Sequence, residues 1–239
     1  GNSVWSGESM ATSSSWKNPS TGVETPQVAA PGVNITMLKC ASPWWGYTQS
    51  GTSFASPLTA GECALIVSKQ PALGSWPEAV RAIVMATAWH NIEGLARLSS
   101  KDGAGGIDAL AGFRVASRGK GVGFNYGTLL STSFDANGYY QTQVASAAAG
   151  QSVRVSLSFD STPSGGPAYT QDNLMCDLDL YVYGPTGALV ASSTSSIQPF
   201  EVVHFSAPST GNYTVKIRRF SFTGSSEYYG TAFTTSADM

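Results

Sequence analysis

Gly51-Thr52-Ser53-Phe54-Ala55-Ser56-Pro57-Leu58-Thr59-Ala60-Gly61 decides how the rest of the chain is read. Glycine, threonine and serine make a tight turn. The small, apolar run from Phe54 to Val67 then predicts a buried helix. Ser53 falls where that helix begins. Pro57 falls within its first turns, where a missing N–H costs least. The first N–H groups of a helix have no intrahelical partners. Together with the helix dipole they stabilise a developing negative charge. One reading of Ser53 is therefore a cap on a core helix. The other is a hydroxyl placed for chemistry.

The whole string separates the two readings. It resembles the nucleophile motif of the subtilisin-like serine proteases (subtilases), Gly-Thr-Ser-x-Ala-x-Pro followed by a short gap and Ala-Gly. Every fixed position is present. The resemblance implies that Ser53 is the nucleophile and that its backbone N–H serves the oxyanion. Three further segments follow the family order. Pro26-Gln27-Val28-Ala29-Ala30-Pro31-Gly32-Val33-Asn34-Ile35 is similar to a short buried strand that enters a loop near the nucleophile. Residues 77–88, with Pro-Glu-x-Val-Arg and Met-x-Thr-Ala, resemble a following helix. Asp102-Gly103-Ala104-Gly105-Gly106-Ile107-Asp108-Ala109 resembles the segment that closes the catalytic domain. The resemblance spans about residues 10–116.

The residues themselves support these elements. Ser75 reads as an N-cap, with Pro77 in the first turn and Glu78 at the third helical position. Val80, Ile83, Val84 and Ala88 then recur at a helical period. Residues 41–50, with Trp44, Trp45 and Tyr47, read as a surface loop before the nucleophile, with its tryptophans on a substrate cleft or packed on the body. Residues 118–127 read as a Gly- and Lys-containing linker. Beyond Tyr139 the pattern is strand. Val153, Val155, Leu157 and Phe159 alternate with Arg154, Ser156 and Ser158. Leu178, Leu180 and Val182 alternate with Asp179, Tyr181 and Tyr183. Tyr213, Val215 and Ile217 alternate with Thr214, Lys216 and Arg218. Period two with one polar face predicts antiparallel sheets around a shared core. The strings Asp177–Tyr183 and Gly211–Val215 resemble the β-sandwich domains appended to some bacterial secreted proteases (pre-peptidase C-terminal or P-domain-like).

The expected fold class is thus the C-terminal portion of an α/β subtilisin-like, doubly wound parallel sheet (1–118), followed by an all-β, jelly-roll-like sandwich (119–239). Composition is consistent with a secreted, extracellular protein. Only 12% of 239 residues are charged and the net charge is −2, against about 25% charged in an average domain. No basic cluster points to nucleic acid, and no apolar run approaches the roughly 20 residues of a membrane span. Cys40, Cys63 and Cys176 form no metal spacing. Cys40–Cys63 is a candidate bridge, with buried free thiols the commoner state.

Serine needs a base to act as a nucleophile, and in subtilases an Asp-oriented His precedes the Ser. Nothing before Ser53 resembles those motifs. The only histidines are His90, at a helix end, and His204, in a sandwich strand. Asn2 is a candidate oxyanion residue, and alternatively Gly1-Asn2 matches the end of a later strand. Residues 1–116 also supply too few strands to cover a doubly wound sheet. The expectation is therefore a separate N-terminal fragment of the same protease that carries Asp and His, with a protein or peptide as substrate. No cofactor is required for the chemistry. Asp172, Asp177 and Asp179 are candidate ligands for a structural Ca2+, and Asp102 with Asp108 forms a second acidic pair. The competing reading is a catalytically inactive scaffold with a structural or binding role.

Overall fold

The computed structural model describes residues 9–16, 25–89, 99, 101–160, 174 and 176–239. Among the described residues the first half holds a two-stranded antiparallel hairpin, β1 (Ile35–Leu38) and β2 (Trp45–Gln49), and three α-helices, α1 (Thr52–Lys69), α2 (Pro77–Thr87) and α3 (Ala109–Ser117). β2 occupies the stretch expected as a surface loop. The expected parallel sheet is not present among the described residues. The strand expected around 26–35 is reduced to one parallel bridge, Ala29 to Gly106. α2 is capped by Trp76, with no side-chain bond at the cap, and not by Ser75, which closes the preceding 3-10 turn. Pro77 opens the helix and supplies the start signal by itself.

Among the described residues the second half is a β-sandwich of eight strands. β3 (Phe124–Leu130), β10 (Ser226–Thr235), β5 (Ser152–Phe159) and β8 (Phe200–Ser206) form one sheet in the order β3-β10-β5-β8. β4 (Tyr139–Ala147), β9 (Gly211–Phe222), β6 (Cys176–Tyr183) and β7 (Leu189–Ser193) form the other, in the order β4-β9-β6-β7. All the named pairings are antiparallel. The alternating residues do what their period requires. Val153, Val155, Leu157 and Phe159 meet Leu178, Leu180, Val182, Tyr213, Val215 and Ile217 in one buried core. The Tyr213 hydroxyl donates to the Ser209 carbonyl at 2.7 Å, pinning the turn that precedes β9. β3 begins inside the stretch expected as a linker.

The sandwich does not hang free. The polar side of β5, expected to face solvent, is buried: Arg154 is 2% exposed, and Ser156 and Ser158 are fully covered. α2 lies across it. Ser156 Oγ donates to the Ala82 carbonyl at 2.6 Å. A Cβ on Gly230 would come within 2.3 Å of the Ala79 backbone, so only glycine permits this approach. Ala79, Ala82, Ile83 and Ala86 share one apolar cluster with Phe124 and Ala232, while Met85 and Ala88 share another with Phe200 and Val202. Arg154 Nη1 donates to the carbonyls of Ala88 and Ala104. Its guanidinium lies 5.3 Å from the Trp89 ring. Among the described residues no helix is long and apolar enough to cross a membrane.

Candidate active site

Ser53 is the second residue of α1 and is exposed. Gly51 precedes the helix at φ 157° and ψ 158°, with no side-chain cap, so Ser53 is not spent as a cap. Among the described residues its hydroxyl has no hydrogen-bond partner, and its N–H belongs to the first, unpaired turn of the helix.

The separate motifs come together around this turn. Gly51 N donates to the Gly32 carbonyl at 2.7 Å, and Asn34 N donates to Ser50 Oγ at 2.8 Å. A Cβ on Gly32 would meet the Gly51 carbonyl oxygen at 3.0 Å and the Ala55 Cβ at 3.3 Å. The Ala-Pro-Gly segment therefore seats the nucleophile turn by backbone contact. That segment is held in turn by the closing one. Ala29 N donates to Gly105 O at 2.8 Å, Ile107 N to Ala29 O at 2.9 Å and Ala104 N to Gln27 O at 2.8 Å. Gly103, at φ 64°, sits so close to Gln27 that a Cβ would fall 2.3 Å from its carbonyl. Asp108 then caps α3 by accepting from Ala111 N at 2.9 Å, and α3 packs against α1.

α1 is not the buried helix that its composition predicts. Only Glu62 and Ile66 are buried. Leu58 and Leu65 on α1, and Leu110 and Phe113 on α3, remain 37–55% exposed. A helix apolar on all sides is a helix made to be covered on all sides.

Beneath that face lies a residue the motif reading did not single out. Glu62 is 1% exposed, between α1, α2 and α3. Its Oε1 lies 3.5 Å from Thr87 Oγ1 and its Oε2 has no partner among the described residues. Burial, and then the Asp108 carboxylate, push it up to about 7. Gly112 makes room for it: a Cβ there would stand 2.8 Å from Oε1. No motif marks this position. Its only signal is a carboxylate in an otherwise apolar run.

The other residues singled out in the sequence lie away from Ser53 or outside the described residues. His204 sits on β8, edge-on to Trp89 at 5.4 Å. His90, Asn2 and Asp172 lie outside the described residues. Asp177 and Asp179 are buried on β6. Asp179 faces Arg218 at 3.6 Å, and one oxygen of Asp177 has no partner. Desolvation pushes both up, Asp179 to about 6. Asp102 accepts from Ser99 Oγ and Asp108 caps α3, so that pair is committed to the loop and the helix. Among the described residues, no three His, Cys, Asp or Glu side chains gather closely enough to hold a metal ion. The three cysteines are free thiols: Cys40 exposed, Cys63 half-buried and Cys176 buried. The candidate Cys40–Cys63 bridge is not formed.

An exposed serine on the first turn of a helix, seated by an Ala-Pro-Gly segment and joined to a β-sandwich, defines a serine-peptidase scaffold with an appended domain. The model of the subtilase family matches residues 3–127, more than half of the chain, and the chain belongs to that family of peptidases. The model of the bacterial pre-peptidase C-terminal domain matches residues 145–219, within the sandwich. Among solved structures, the chain is similar to the pre-peptidase C-terminal domain of collagenase from Bacillus anthracis. The identity is 9%, over 47% of this chain and 90% of that one, with a TM-score of 0.31. It is also similar to PliG, a periplasmic inhibitor of g-type lysozyme from Aeromonas hydrophila, at 14% identity, over 47% and 83%, with a TM-score of 0.28.

Proposed function

We propose that this chain carries the nucleophile of a secreted serine endopeptidase. Ser53 Oγ attacks the carbonyl carbon of a peptide bond, and its proton passes to a histidine. The amine leaves with a proton returned by that histidine, and an acyl-enzyme remains on Ser53. Water then attacks the ester and releases the acid. The Ser53 N–H donates to the oxyanion. The histidine and its orienting aspartate are supplied by an N-terminal segment of the same protease, cleaved or separate. Secretion is supported by the appended domain, whose family is typical of secreted bacterial proteases.

The observation that carries this reading is the convergence on Ser53. One sequence-distant segment seats its turn by backbone contact and a second holds that segment in place, yet among the described residues the hydroxyl itself does no structural work. The apolar surface of Leu58, Leu65, Leu110 and Phe113 supports the second half of the proposal, because a covering layer there lies on the helix that presents Ser53. Labelling of the natively purified protein with a fluorophosphonate, read by intact mass of every chain present, tests it. The expected result is one label on Ser53, together with a second polypeptide. An unlabelled Ser53 in a sample with such a polypeptide bound would favour the inactive scaffold.

A further inference from the structure

The two outer faces of the sandwich differ. That of β3-β10-β5-β8 is closed by α2. That of β4-β9-β6-β7 carries half-buried aromatic and charged side chains, with Asp179 buried among them. Strand register lays them out in rows. Gln141, Lys216, Tyr181 and Ser192 form one transverse row across β4, β9, β6 and β7. Tyr139, Arg218 and Asp179 form the row on one side of it, and Thr214 and Tyr183 the row on the other. Neighbouring strands stand about 4.8 Å apart and these rows about 7 Å apart, which is the scale of one ring.

The aromatic groups are held in place. The Tyr139 and Tyr181 rings meet edge-on at 5.5 Å. Lys216 Nζ lies 5.0 Å from the Tyr183 ring and 5.9 Å from that of Tyr139, so one cation fixes two rings. Beside Tyr139 opens a cleft of about 390 Å3 whose walls include Phe134, Asp135, Gln141 and Lys216. Asp135 Oδ1 accepts the N–H groups of Asn137 and Tyr139, both at 2.9 Å. The carboxylate is thereby aimed, with its second oxygen still able to accept.

Such a face asks for a ligand with apolar ring faces and with groups that both donate and accept. Asp135 only accepts, Lys216 only donates, and Gln141 does both. Sugar rings meet all three demands: their C–H faces lie flat on tyrosine rings, and their hydroxyls donate and accept. A polyanion would satisfy Lys216 but meet the charge of Asp135, and the second cation of the face, Arg218, already faces Asp179 at 3.6 Å. A polypeptide laid over a sheet face, unlike one added to a sheet edge, finds no backbone ladder to pair with. We propose that the outer face of β4-β9-β6-β7 binds an uncharged, hydroxyl-rich polysaccharide and tethers the protein to it. This inference is independent of the chemistry at Ser53.

The test uses the full 239-residue chain. It is mixed with insoluble cellulose, chitin and xylan, and with heparin-agarose and gelatin-agarose, and the unbound fraction is measured. The expected result is retention on at least one of the neutral polysaccharides, undiminished in 0.5 M salt because stacking is not screened. Tyr181→Ala and Asp135→Asn should each weaken binding at least tenfold. Tyr181→Phe, which keeps the ring and guards against misfolding, should bind within threefold of the parent, as should Val122→Ala, remote in sequence and on no strand of this sheet. Ser53→Ala should bind like the parent, which separates a failure here from a failure of the peptidase reading. Retention on none of the neutral polysaccharides, or only on heparin or gelatin, overturns the proposal. So does full binding by a folded Tyr181→Ala protein.

Discussion

Replacing Arg154 by methionine tests whether the sandwich is held to α2 by this side chain or merely tolerates it. Methionine keeps most of the stem and removes the guanidinium. Two bonds from Nη1, to the carbonyls of Ala88 and Ala104, are lost. Bonds from a charged donor contribute about 1.5–3 kcal/mol each, so about 3–6 kcal/mol disappears. Against this stands the burial of the cation. Desolvation pushes Arg154 well below the usual guanidinium range, down to about 10, despite the nearby Asp102 carboxylate. At about 1.4 kcal/mol per pH unit that is a penalty of about 3 kcal/mol, which the variant no longer bears. The balance is a net loss of about 2 kcal/mol for Arg154→Met. Arg154→Ala also leaves a cavity under Trp89 and should lose about 4 kcal/mol. Urea unfolding at pH 7 gives both values from the shift in midpoint at constant slope. A methionine variant as stable as the parent, or more so, refutes the reasoning. The guanidinium would then be one of those buried charges that well-packed apolar side chains replace without loss.

Ser53→Ala should abolish fluorophosphonate labelling and change unfolding stability by less than about 0.5 kcal/mol, since an exposed hydroxyl without a partner supports nothing. Gly112→Ala drives a methyl group to 2.8 Å from Glu62 Oε1 and 3.2 Å from Ile66 Cδ1. It should cost about 1–3 kcal/mol, most of it recovered when Glu62→Ala is added, and a double-mutant cycle on urea midpoints reads the coupling. Glu62 is raised in the folded protein to about 7 from 4.5. The folded state therefore holds this proton more tightly than the unfolded one, and stability is full below pH 4.5 and lost as pH rises to 7, by about 3 kcal/mol. Glu62→Gln should remove that slope, so the difference in midpoint between variant and parent grows from pH 4.5 to pH 7. A constant difference would show that Glu62 stays charged in the fold.

The sandwich core was legible because period two states which residues share a side. It does not state which side is wet. Arg154, Ser156 and Ser158 read as a solvent face and proved to lie under α2, because nothing within residues 152–159 records a helix 70 residues upstream. β3 was hidden for the same reason: only its pairing with β10, about a hundred residues later, makes Phe124–Leu130 a strand. Around Ser53, legibility followed locality. The turn and the helix start are written in eight consecutive residues. The seating of that turn by Gly32, and the burial of Glu62 against Thr87 and Gly112, depend on segments that meet only in three dimensions.

α1 joins the proposed chemistry to stability. Leu58, Leu65, Leu110 and Phe113 are about half exposed. Fully burying such a side chain contributes about 1.5–3 kcal/mol, so completing the burial of these four is worth about 3–6 kcal/mol. That is a large fraction of the 5–15 kcal/mol that holds a domain folded. A layer that covers this face gains much of its own docking energy from the helix that presents Ser53. Under the proposed function, the same contact that brings a histidine to the serine also buries these side chains. Assembly of the base and consolidation of the fold then become one event. Glu62, on the same helix, is already 1% exposed before any layer covers this face, with one oxygen unpaired among the described residues. Leu58, Leu65 and the Ser53 hydroxyl lie on α1, with Leu110 and Phe113 beside them on α3, and a single covering layer accounts for both the apolar surface and the idle hydroxyl.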